Sequence, residues 1–336
     1  MTIKVGINGF GRIGKCVLLQ LLELEDFQIN AINTSLDIES IGKYINRDSV
    51  HGKRNISSHV LDEETIILET QVIKIVNSRD PSDIDWRDLD VDYLFETTGA
   101  FLTLDSLDYH DVDNIILSSP PKDNEIMLYC YGVNHPLYRG ERVVSTASCT
   151  TNCIAPILDA CLDFSGGIKE ANFITIHSAT ASQSVVDTAH DKTRTNRSIF
   201  NNIIPHTTGA SKCLGKIIPE ISGKIRGTSV RVPVSNVSMV DLNITFNEKT
   251  TKKDFFKMIE EVSGDVITVS EEESVSSDFI GYESPSVIDY NSTYQVSERT
   301  LKITLWYDNE WSYAAQMIRM CRYIFNVTKN ERNVDL

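Results

Sequence analysis

The chain has no run of apolar residues that approaches the roughly 18 consecutive positions of a membrane-spanning helix, and it is poor in basic residues. Its 336 residues include 32 Lys and Arg against 47 Asp and Glu, which gives a formal net charge of −15. Because nucleic-acid binding depends on clustered cations that displace counterions from phosphates, we do not expect a general nucleic-acid-binding protein. No basic and then apolar leader opens the sequence, so we expect a soluble, cytosolic protein.

Cysteine is also sparse, and the seven cysteines are scattered and odd in number. A disulfide framework is typical of short secreted chains with an even, regularly spaced set, so we expect reduced thiols here. Cys149 and Cys153 are close together, but no second Cys or His pair provides the remaining ligands of a zinc site. No bound metal is therefore expected.

Apolar residues are plentiful: 41% of the sequence is hydrophobic, over a length typical of two domains. In the first half, residues 3–8 predict a strand, 12–24 an amphipathic helix and 29–33 a second strand. This strand-helix-strand pattern indicates a parallel sheet covered by helices. Further strands are predicted at 91–96, 114–118 and 142–145.

The second half has a different pattern. Residues 237–246 alternate apolar and polar side chains, as in a strand that is buried on one face only. Similar β signals cover 172–177 and 301–307, and helices with one apolar face are predicted at 251–262 and 311–325. These elements indicate an α+β domain with a mostly antiparallel or mixed sheet.

Residues 9–14 read GFGRIG and lie between the first predicted strand and the first predicted helix. In that position the glycines can make a tight turn, admit a pyrophosphate to the backbone and let the helix pack on the strand. The helix N-terminus would then face the phosphates. Glycines that serve only a tight turn are the alternative. The motif predicts a Rossmann dinucleotide-binding domain.

The choice between NAD and NADP depends on the end of the second strand. An NAD-specific site usually carries Asp or Glu there, because the carboxylate accepts hydrogen bonds from the ribose 2′-hydroxyl. Here Asn33 and Thr34 occupy that position. A neutral Thr34 can bond a hydroxyl but does not repel a 2′-phosphate, so NAD is expected and NADP is left open. Asp37 is an alternative ligand for the ribose.

Residues 148–153 read SCTTNC and lead from a predicted strand into a helical apolar pattern. Cys149 is therefore expected at a helix N-terminus, where the dipole and free N–H groups favour a thiolate and can stabilise an oxyanion. A lone cysteine is more often a buried structural residue, but the hydroxyls of Ser148 and Thr150 flank this sulfur. His177 is a candidate base that would pair with Cys149 and accept a proton. The alternative for His177 is a packing or surface role.

Together these motifs resemble one family from end to end, phosphorylating glyceraldehyde-3-phosphate dehydrogenase. The SCTTNC block at 148–153 is highly specific to that family. The other matching motifs occur in the same order along the chain. They are NGFGRIG at 8–14, RDP at 79–81, GVNH at 132–135, NIIP at 202–205, TGA at 208–210, RVP at 231–233 and WYDNE at 306–310.

The resemblance implies a glycolytic enzyme that converts D-glyceraldehyde 3-phosphate, inorganic phosphate and NAD to 1,3-bisphosphoglycerate and NADH. Cys149 would attack the aldehyde carbon and form a thioester, and His177 would accept the proton. It also implies an α/β fold with two domains. Residues 1–148 and 310–336 would form the Rossmann NAD-binding domain, and 149–309 the α+β catalytic domain.

The resemblance also implies three sets of binding residues. Thr180 and Arg231 would hold the substrate phosphate, and an ordinary surface ion pair is the alternative for Arg231. The attacking phosphate would be held by Ser148, Thr150, Thr208 and Gly209. The cofactor site would comprise Gly9, Phe10, Gly11, Arg12, Ile13, Asn33, Thr34, Arg79, Ser118, Asn309 and Tyr313.

Within the cofactor set, Arg12 and Ile13 would offer backbone N–H groups to the pyrophosphate, and Asn309 would bond the nicotinamide carboxamide. The chain departs from the family at Thr34, which replaces Asp. It also departs at Thr188 and Ala189, where NAD-dependent members usually carry Gly or Leu followed by Pro. Further departures with no assigned role are Thr146, Thr193 and His206.

A homotetramer is implied by resemblance alone, with a loop at about 180–203 at the subunit contacts. Two other functions stay open. One is an erythrose-4-phosphate dehydrogenase, which would share the nucleophile and the base but hydrolyse its thioester with water. The other is a non-catalytic binding protein on the same scaffold, which the intact Cys149, His177, Arg231 and Asn309 disfavour.

Overall fold

The structure, a computed structural model, describes residues 2–189 and 193–334. The chain forms two compact units, one of residues 1–148 with 314–336 and the other of residues 149–313. Each unit is built on its own sheet with packed helices. The predicted α/β class is confirmed.

The first unit contains most of the short elements of the chain. Its helices are α1 Arg12–Leu21, α2 Ile38–Asn46 and α3 Leu104–Leu107. Its strands are β1 Ile3–Asn8, β2 Phe27–Asn33, β3 Arg47–Asp48, β4 Gly52–Lys53, β5 Ser58–Asp62, β6 Thr65–Leu68, β7 Gln71–Val76, β8 Tyr93–Glu96, β9 Asn114–Leu117, β10 Met127–Leu128 and β11 Val143–Ser145.

Parallel strands form the centre of this unit, and its described sheet has the order β10-β11-β9-β8-β1-β2-β7-β6-β5. Strand β1 pairs in parallel with both β2 and β8. Nearly every residue of β1, β8 and β9 is buried, as expected of a parallel sheet covered on both faces. The strand predicted at 3–8 is confirmed, and the strand predicted at 91–96 begins later, at Tyr93.

One edge of this sheet is antiparallel and was not predicted. Strand β6 pairs antiparallel with both β5 and β7. Most of β5 is exposed, so its sequence lacks the alternation of apolar and polar residues that marks a half-buried strand. The position of β5 depends on its pairing with β6, and the local sequence does not show that pairing.

The second unit combines three helices with a mixed sheet. Its helices are α4 Cys149–Ala160, α5 Ala210–Ile217 and α6 Lys252–Val262. Its strands are β12 Ile168–His177, β13 Ile204–His206, β14 Ile225–Arg231, β15 Ser238–Phe246, β16 Ile267–Ser270, β17 Ser286–Ser297 and β18 Thr300–Tyr307.

This second sheet has the order β13-β14-β12-β15-β18-β17-β16 in the described residues. The run from β12 through β15 and β18 to β17 is antiparallel, whereas β14 pairs in parallel with β12. In β15, Val240, Leu242, Ile244 and Phe246 are fully buried and the residues between them are half-buried. The predicted one-faced strand is confirmed, and α4, α5 and α6 pack on the sheet.

A last helix, α7, spans Trp311–Val334 and extends beyond the predicted end at 325. Its residues from 314 onward belong to the first unit. There Arg322 donates two hydrogen bonds to the carboxylate of Asp26, at 2.6 and 2.9 Å. Among the described residues, no helix is both long and apolar enough to cross a bilayer.

A buried charge cluster holds the start of α1 in the first unit. Nζ of Lys15 lies 2.7 Å from the carboxylate of Asp48, and the two side chains are 2% and 3% exposed. The guanidinium of Arg12 donates two further hydrogen bonds to Asp48. Although burial alone would raise it, Arg12 and Lys15 hold the pKa of Asp48 well below its usual range. Asp48 is therefore ionised at neutral pH and pairs with both cations.

We predict that Asp48→Ala destabilises the protein, because it leaves the ammonium of Lys15 buried without its carboxylate. Breaking a buried ion pair costs about 3–5 kcal/mol, or roughly 6 °C or more in melting temperature for a chain of this size. The exposed pair of Arg87 and Asp111 provides the control, since its side chains are 57% and 70% exposed. Asp111→Ala should change the melting temperature by at most about 2 °C. Equal shifts in the two variants, measured by calorimetry, would contradict the prediction.

Candidate active site

Cys149 is the first residue of α4 and follows a sharp turn after β11. In that turn Ala147 has a φ of 58°, a left-handed conformation that costs a residue with a Cβ on the order of 1 kcal/mol. All seven cysteines lie in the described part of the chain, and Cys149 is half-buried whereas the other six are buried. Cys149, at a helix N-terminus, is therefore the least buried of the seven cysteines.

The sulfur of Cys149 faces the imidazole of His177. Sγ lies 3.5 Å from Nε2, and His177 is buried at the end of β12. On the other side of the ring, Nδ1 lies 2.9 Å from the carbonyl oxygen of Ser178 and 2.5 Å from Nη1 of Arg231. The structure thus connects Cys149, His177 and Arg231, from a helix and two neighbouring strands, through direct contacts.

The electrostatics of this group do not favour the resting thiolate that we expected from the helix N-terminus. Burial raises the pKa of the Cys149 thiol, and Arg231 and the N–H of Thr150 oppose that effect only in part. Burial, Arg231 and, more weakly, His206 lower the pKa of His177 to about 3, whereas its contact with Ser178 raises it. At neutral pH the pair is therefore a thiol beside a neutral imidazole.

A buried tyrosine supports the start of α4. The hydroxyl of Tyr307 lies 2.8 Å from Oγ1 of Thr150 and 3.0 Å from Oγ1 of Thr175. Its ring packs edge-on against His177, with the ring centres 6.1 Å apart. Burial raises the pKa of Tyr307, so it stays a neutral phenol. The sequence placed Tyr307 in a predicted strand and in the WYDNE motif but gave it no role in the site, because neither pattern reports a hydroxyl contact.

Arg231 is a half-buried cation without a carboxylate partner in the part of the chain that the structure describes. Its Nη1 donates to the carbonyl oxygen of Ser178 at 3.0 Å, and its Nε is buried with no hydrogen-bond partner there. Guanidinium stays protonated at all relevant pH values. A buried charge in this state favours an anionic ligand, because an unpaired charge is costly in a low dielectric.

Three other predicted phosphate ligands lie in loops of the second unit. In the described structure no hydrogen bond joins Thr180 to Arg231. The hydroxyl of Thr180 instead donates to Oε1 of Gln183, at 3.0 Å. Thr208 accepts from the N–H of Ala210 at 3.2 Å, and Gly209 is the N-cap of α5. The hydrogen bonds of these described residues do not link them to Cys149. Ser148 directly precedes Cys149 and is half-buried.

Asn309 is held in a fixed orientation by two serines. Its Oδ1 accepts hydrogen bonds from the hydroxyls of Ser178 at 2.8 Å and Ser238 at 3.0 Å. The Ser238 hydroxyl in turn accepts from the N–H of Ser178 at 3.1 Å. Since both lone pairs of the amide oxygen are engaged, Nδ2 is the group left to donate to a ligand. Sequence reasoning named Asn309 and missed both serines.

In the first unit, the three glycines of the GFGRIG motif have separate roles. Gly9 has a φ of 92°, which favours glycine. A Cβ on Gly14 would lie 2.1 Å from the carbonyl oxygen of Gly9, so glycine is required for α1 to approach the turn. A Cβ on Gly11 would meet no described atom within 4 Å, and this glycine faces open space. The backbone therefore fits a pyrophosphate at the N-terminus of α1.

A cavity of about 380 Å³ adjoins this loop and is lined by hydroxyls, amides and one cation. This lining fits one half of a dinucleotide. Thr34 lies on its wall, and its Oγ1 accepts from the N–H of Leu36 at 3.0 Å, which leaves its proton for a ribose oxygen. Asp37, the alternative ribose ligand, caps α2 by accepting from Glu39 at 2.9 Å. The lining includes Asn8, Gly9, Phe10, Asn33, Thr34, Ser78, Arg79, Thr98 and Phe101.

A buried carboxylate contacts two residues of the cavity lining, Asn8 and Thr98. Glu96 is fully buried and accepts hydrogen bonds from Asn8 and from the N–H and hydroxyl of Thr98. Oδ1 of Asn8 accepts in turn from Asn33 at 2.7 Å. Nε2 of His110 lies 3.4 Å from Glu96. Sequence reasoning missed Glu96, because it ends a predicted apolar strand and belongs to no motif.

The remaining predicted cofactor residues are distributed over both units. Arg12 and Ile13 open α1, and the Arg12 side chain is engaged by Asp48. Ser118 is half-buried after β9, and Tyr313 is buried in the second unit. Thr188, a departure from the family pattern, contacts the hydroxyl of Ser184 at 3.0 Å in the second unit.

Comparison with known proteins gives matches over nearly the whole chain. The model of the glyceraldehyde 3-phosphate dehydrogenase NAD binding domain matches residues 3–104, and that of its C-terminal domain matches 148–309. The glyceraldehyde-3-phosphate dehydrogenase of Bacteroides fragilis is 38% identical over 332 residues, covering 96% of this chain and 99% of that protein. Glyceraldehyde-3-phosphate dehydrogenase 1 of Schizosaccharomyces pombe is 38% identical over 330 residues, covering 95% and 97%.

The raised pKa of Cys149 predicts how its reactivity depends on pH. Iodoacetamide attacks the thiolate, so the rate of alkylation of Cys149 should climb steadily between pH 6 and 8, about tenfold per pH unit. A resting pair of thiolate and imidazolium would instead give a nearly constant rate over this range. The measurement is the second-order rate constant of alkylation, followed by mass spectrometry, with Cys149→Ser as the control for the other thiols. A plateau would contradict the prediction.

Proposed function

The chain belongs to the glyceraldehyde-3-phosphate dehydrogenase family, and we propose a residue-level account of its reaction. It is an NAD-dependent dehydrogenase that oxidises glyceraldehyde 3-phosphate in glycolysis. We assign cofactor binding to residues 1–148 with 310–336, and catalysis to 149–309. The observation that carries the proposal is the 3.5 Å contact between Sγ of Cys149 and Nε2 of His177.

The cofactor residues fit NAD through backbone and hydroxyl groups. The open face at Gly11 and the N–H groups that begin α1 suit a pyrophosphate, and Thr34 can bond a ribose hydroxyl. Nδ2 of Asn309, directed by Ser178 and Ser238, is available for the carboxamide of the nicotinamide. When bound, NAD supplies the acceptor for the hydride that leaves the substrate carbon.

In the proposed chemistry, the neutral imidazole of His177 takes the thiol proton of Cys149 at Nε2 while the sulfur bonds to the aldehyde carbon. The carbonyl electron pair moves to oxygen, and the N–H groups at the start of α4 stabilise that charge. His177 returns its proton to this oxygen and takes it back when the C–H electron pair departs. The product on Cys149 is a thioester.

Two anion subsites would complete the reaction. The unpaired guanidinium of Arg231, with the hydroxyl of Thr180, would bind the phosphate of the substrate. Ser148, Thr150, Thr208 and Gly209 would bind inorganic phosphate, which attacks the thioester and leaves as an acyl phosphate. Because the net charge of the chain is −15, each dianion must be attracted by such local donors.

We predict that Cys149→Ser keeps NAD binding but loses roughly 10³-fold or more in turnover, as expected when a covalent nucleophile is removed.

NADH formation from glyceraldehyde 3-phosphate should depend on inorganic phosphate in the native enzyme. If the rate stayed the same without phosphate, water would be the acceptor, as in an erythrose-4-phosphate dehydrogenase. No aldehyde-dependent NADH formation at all would favour the non-catalytic function.

We also propose a cytosolic homotetramer. Within the predicted contact loop of 180–203, of which residues 190–192 lie outside the described part, large apolar side chains are exposed. They are Val185 at 61%, Val186 at 65%, Phe200 at 66% and Ile203 at 73%. Such a cluster is typical of a surface that is covered in an assembly.

Light scattering should give a mass of about four chains of 37.8 kDa each, by analogy with the closed symmetric assemblies common among enzymes. Phe200→Asp with Ile203→Asp should shift the protein to smaller species, because charges would be buried at the contact. Tyr109→Asp is the control, since Tyr109 is 62% exposed but lies outside this loop. A monomeric native protein would contradict the proposal.

A further inference from the structure

A chain of side-chain hydrogen bonds crosses the carboxyl ends of the parallel strands in the first unit. Glu96 ends β8, Asn8 ends β1 and Asn33 ends β2. In the sheet, β2 and β7 lie on one side of β1, and β8 and β9 lie on the other. Ligands of open α/β sheets bind in the crevice where the strand order reverses. Glu96 and Asn8 lie on the two strands that border this crevice.

The backbone of Ser78 fixes which way the amide of Asn33 is turned. The N–H of Ser78 donates to Oδ1 of Asn33 at 3.0 Å, and Nδ2 of Asn33 donates to the carbonyl oxygen of Ser78 at 2.8 Å. A backbone N–H only donates and a carbonyl oxygen only accepts, so the opposite orientation of the amide would lose both bonds. Nδ2 of Asn33 must therefore also be the donor to Oδ1 of Asn8, at 2.7 Å.

The orientation of Asn8 in turn determines what Glu96 must do. Because Oδ1 of Asn8 accepts from Asn33, Nδ2 of Asn8 faces Glu96, whose Oε2 must accept. The other oxygen, Oε1, accepts from the N–H of Thr98 at 2.8 Å and from the hydroxyl of Thr98. That hydroxyl accepts from the N–H of Ala100 at 3.1 Å, which leaves its proton for Glu96. Both oxygens of Glu96 therefore serve as acceptors, as in a carboxylate and unlike in an amide.

We propose that Glu96 is a positioning residue for the dinucleotide, because its carboxylate is the acceptor at which this chain of hydrogen bonds ends. It fixes the amides of Asn8 and Asn33 and, through them, the segment after β7 that carries Ser78 and Arg79. Glu96 is fully buried, so it acts through these partners. The proposal rests on the proposed function in placing NAD in the adjoining cavity.

The chain of hydrogen bonds orients groups that line this cavity. Asn8, Asn33, Ser78 and Thr98 all belong to its lining. If either amide turned over, a donor and an acceptor would change places in the wall, and Ser78 would lose both of its bonds to Asn33. A wall that is fixed before binding costs a ligand less ordering entropy. The carboxylate thus preorganises the surface that would meet the dinucleotide.

The test reverses the polarity of one link in the chain. In Glu96→Gln one oxygen becomes an NH2 group, which must face either Asn8 or Thr98, and both present donors there. In Asn8→Asp two carboxylates would face each other. Each variant should raise the dissociation constant of NAD about tenfold, the effect of one unmade buried hydrogen bond. The measurement is isothermal titration calorimetry.

The double variant, Glu96→Gln with Asn8→Asp, separates positioning by polarity from a role in packing. In it the new amide donates to the new carboxylate, which still accepts from Asn33. The double variant should bind NAD at least about threefold more tightly than either single variant, whereas independent losses would add. ADP-ribose, which lacks the nicotinamide, should show the same order. A smaller recovery overturns the proposal.

Turnover gives a readout that a general loss of structure would not produce. The KM for NAD should rise in Glu96→Gln by a larger factor than kcat falls, and it should recover in the double variant. The KM for glyceraldehyde 3-phosphate should stay unchanged, because the residues proposed for its phosphate lie in the second unit. If both KM values rise together, Glu96 supports the fold in general and the proposal is wrong.

The matched control is Glu63→Gln, since Glu63 is exposed between β5 and β6. It should bind NAD as the native protein does. All variants are compared well below their melting temperatures. If the single variants do not fold, a double variant that folds supports the proposal, and one that also fails to fold overturns it.

The native protein separates this proposal from the proposed function. If native protein binds NAD and forms NADH, but the double variant shows no recovery, the role of Glu96 is overturned and the proposed function is left intact. If native protein binds neither NAD nor ADP-ribose, the proposed function itself is overturned.

Discussion

A half-buried guanidinium, for which the described residues provide no carboxylate, governs the electrostatics of the catalytic unit. Arg231 contacts the imidazole of His177 directly, lowers the pKa of that histidine and opposes the burial that raises the pKa of Cys149. A carboxylate beside Arg231 would neutralise its charge and cancel its effects on the pKa values of His177 and Cys149. Leaving the cation unpaired costs stability, and a bound phosphate would provide the charge-assisted partner that the chain does not.

The cofactor unit uses charge in the opposite way, because groups of the chain itself contact its buried carboxylates, Asp48 and Glu96. Asp48 pairs with Lys15 and Arg12 of α1, and Glu96 accepts hydrogen bonds from Asn8 and Thr98 of the cavity lining. Because these side chains are occupied, backbone N–H groups are the donors that the GFGRIG loop would offer to a dinucleotide. Such groups do not rearrange on binding, so little ordering entropy is lost there.

The elements that patterns predicted well are those whose burial is regular. Strand β15 alternates because one face is covered, and β1 is continuously apolar because both faces are. The exposed edge strand β5 has neither pattern and was missed. In the site, Cys149, His177 and Asn309 belong to local motifs that a sequence displays. Ser238 and Glu96 act through partners far away in the chain, which no local pattern reports.

The resting state of Cys149 shows where a local rule fails. A helix N-terminus favours the thiolate by about 0.3–1 kcal/mol at an exposed site, and sequence can predict that contribution. Desolvation opposes it and can shift the pKa of a fully buried group by several units, but it depends on what the fold packs around the sulfur. Here burial is the larger effect, so the proton stays on Cys149 at neutral pH. Activation of this nucleophile would therefore depend on His177, whose Nε2 lies 3.5 Å from Sγ.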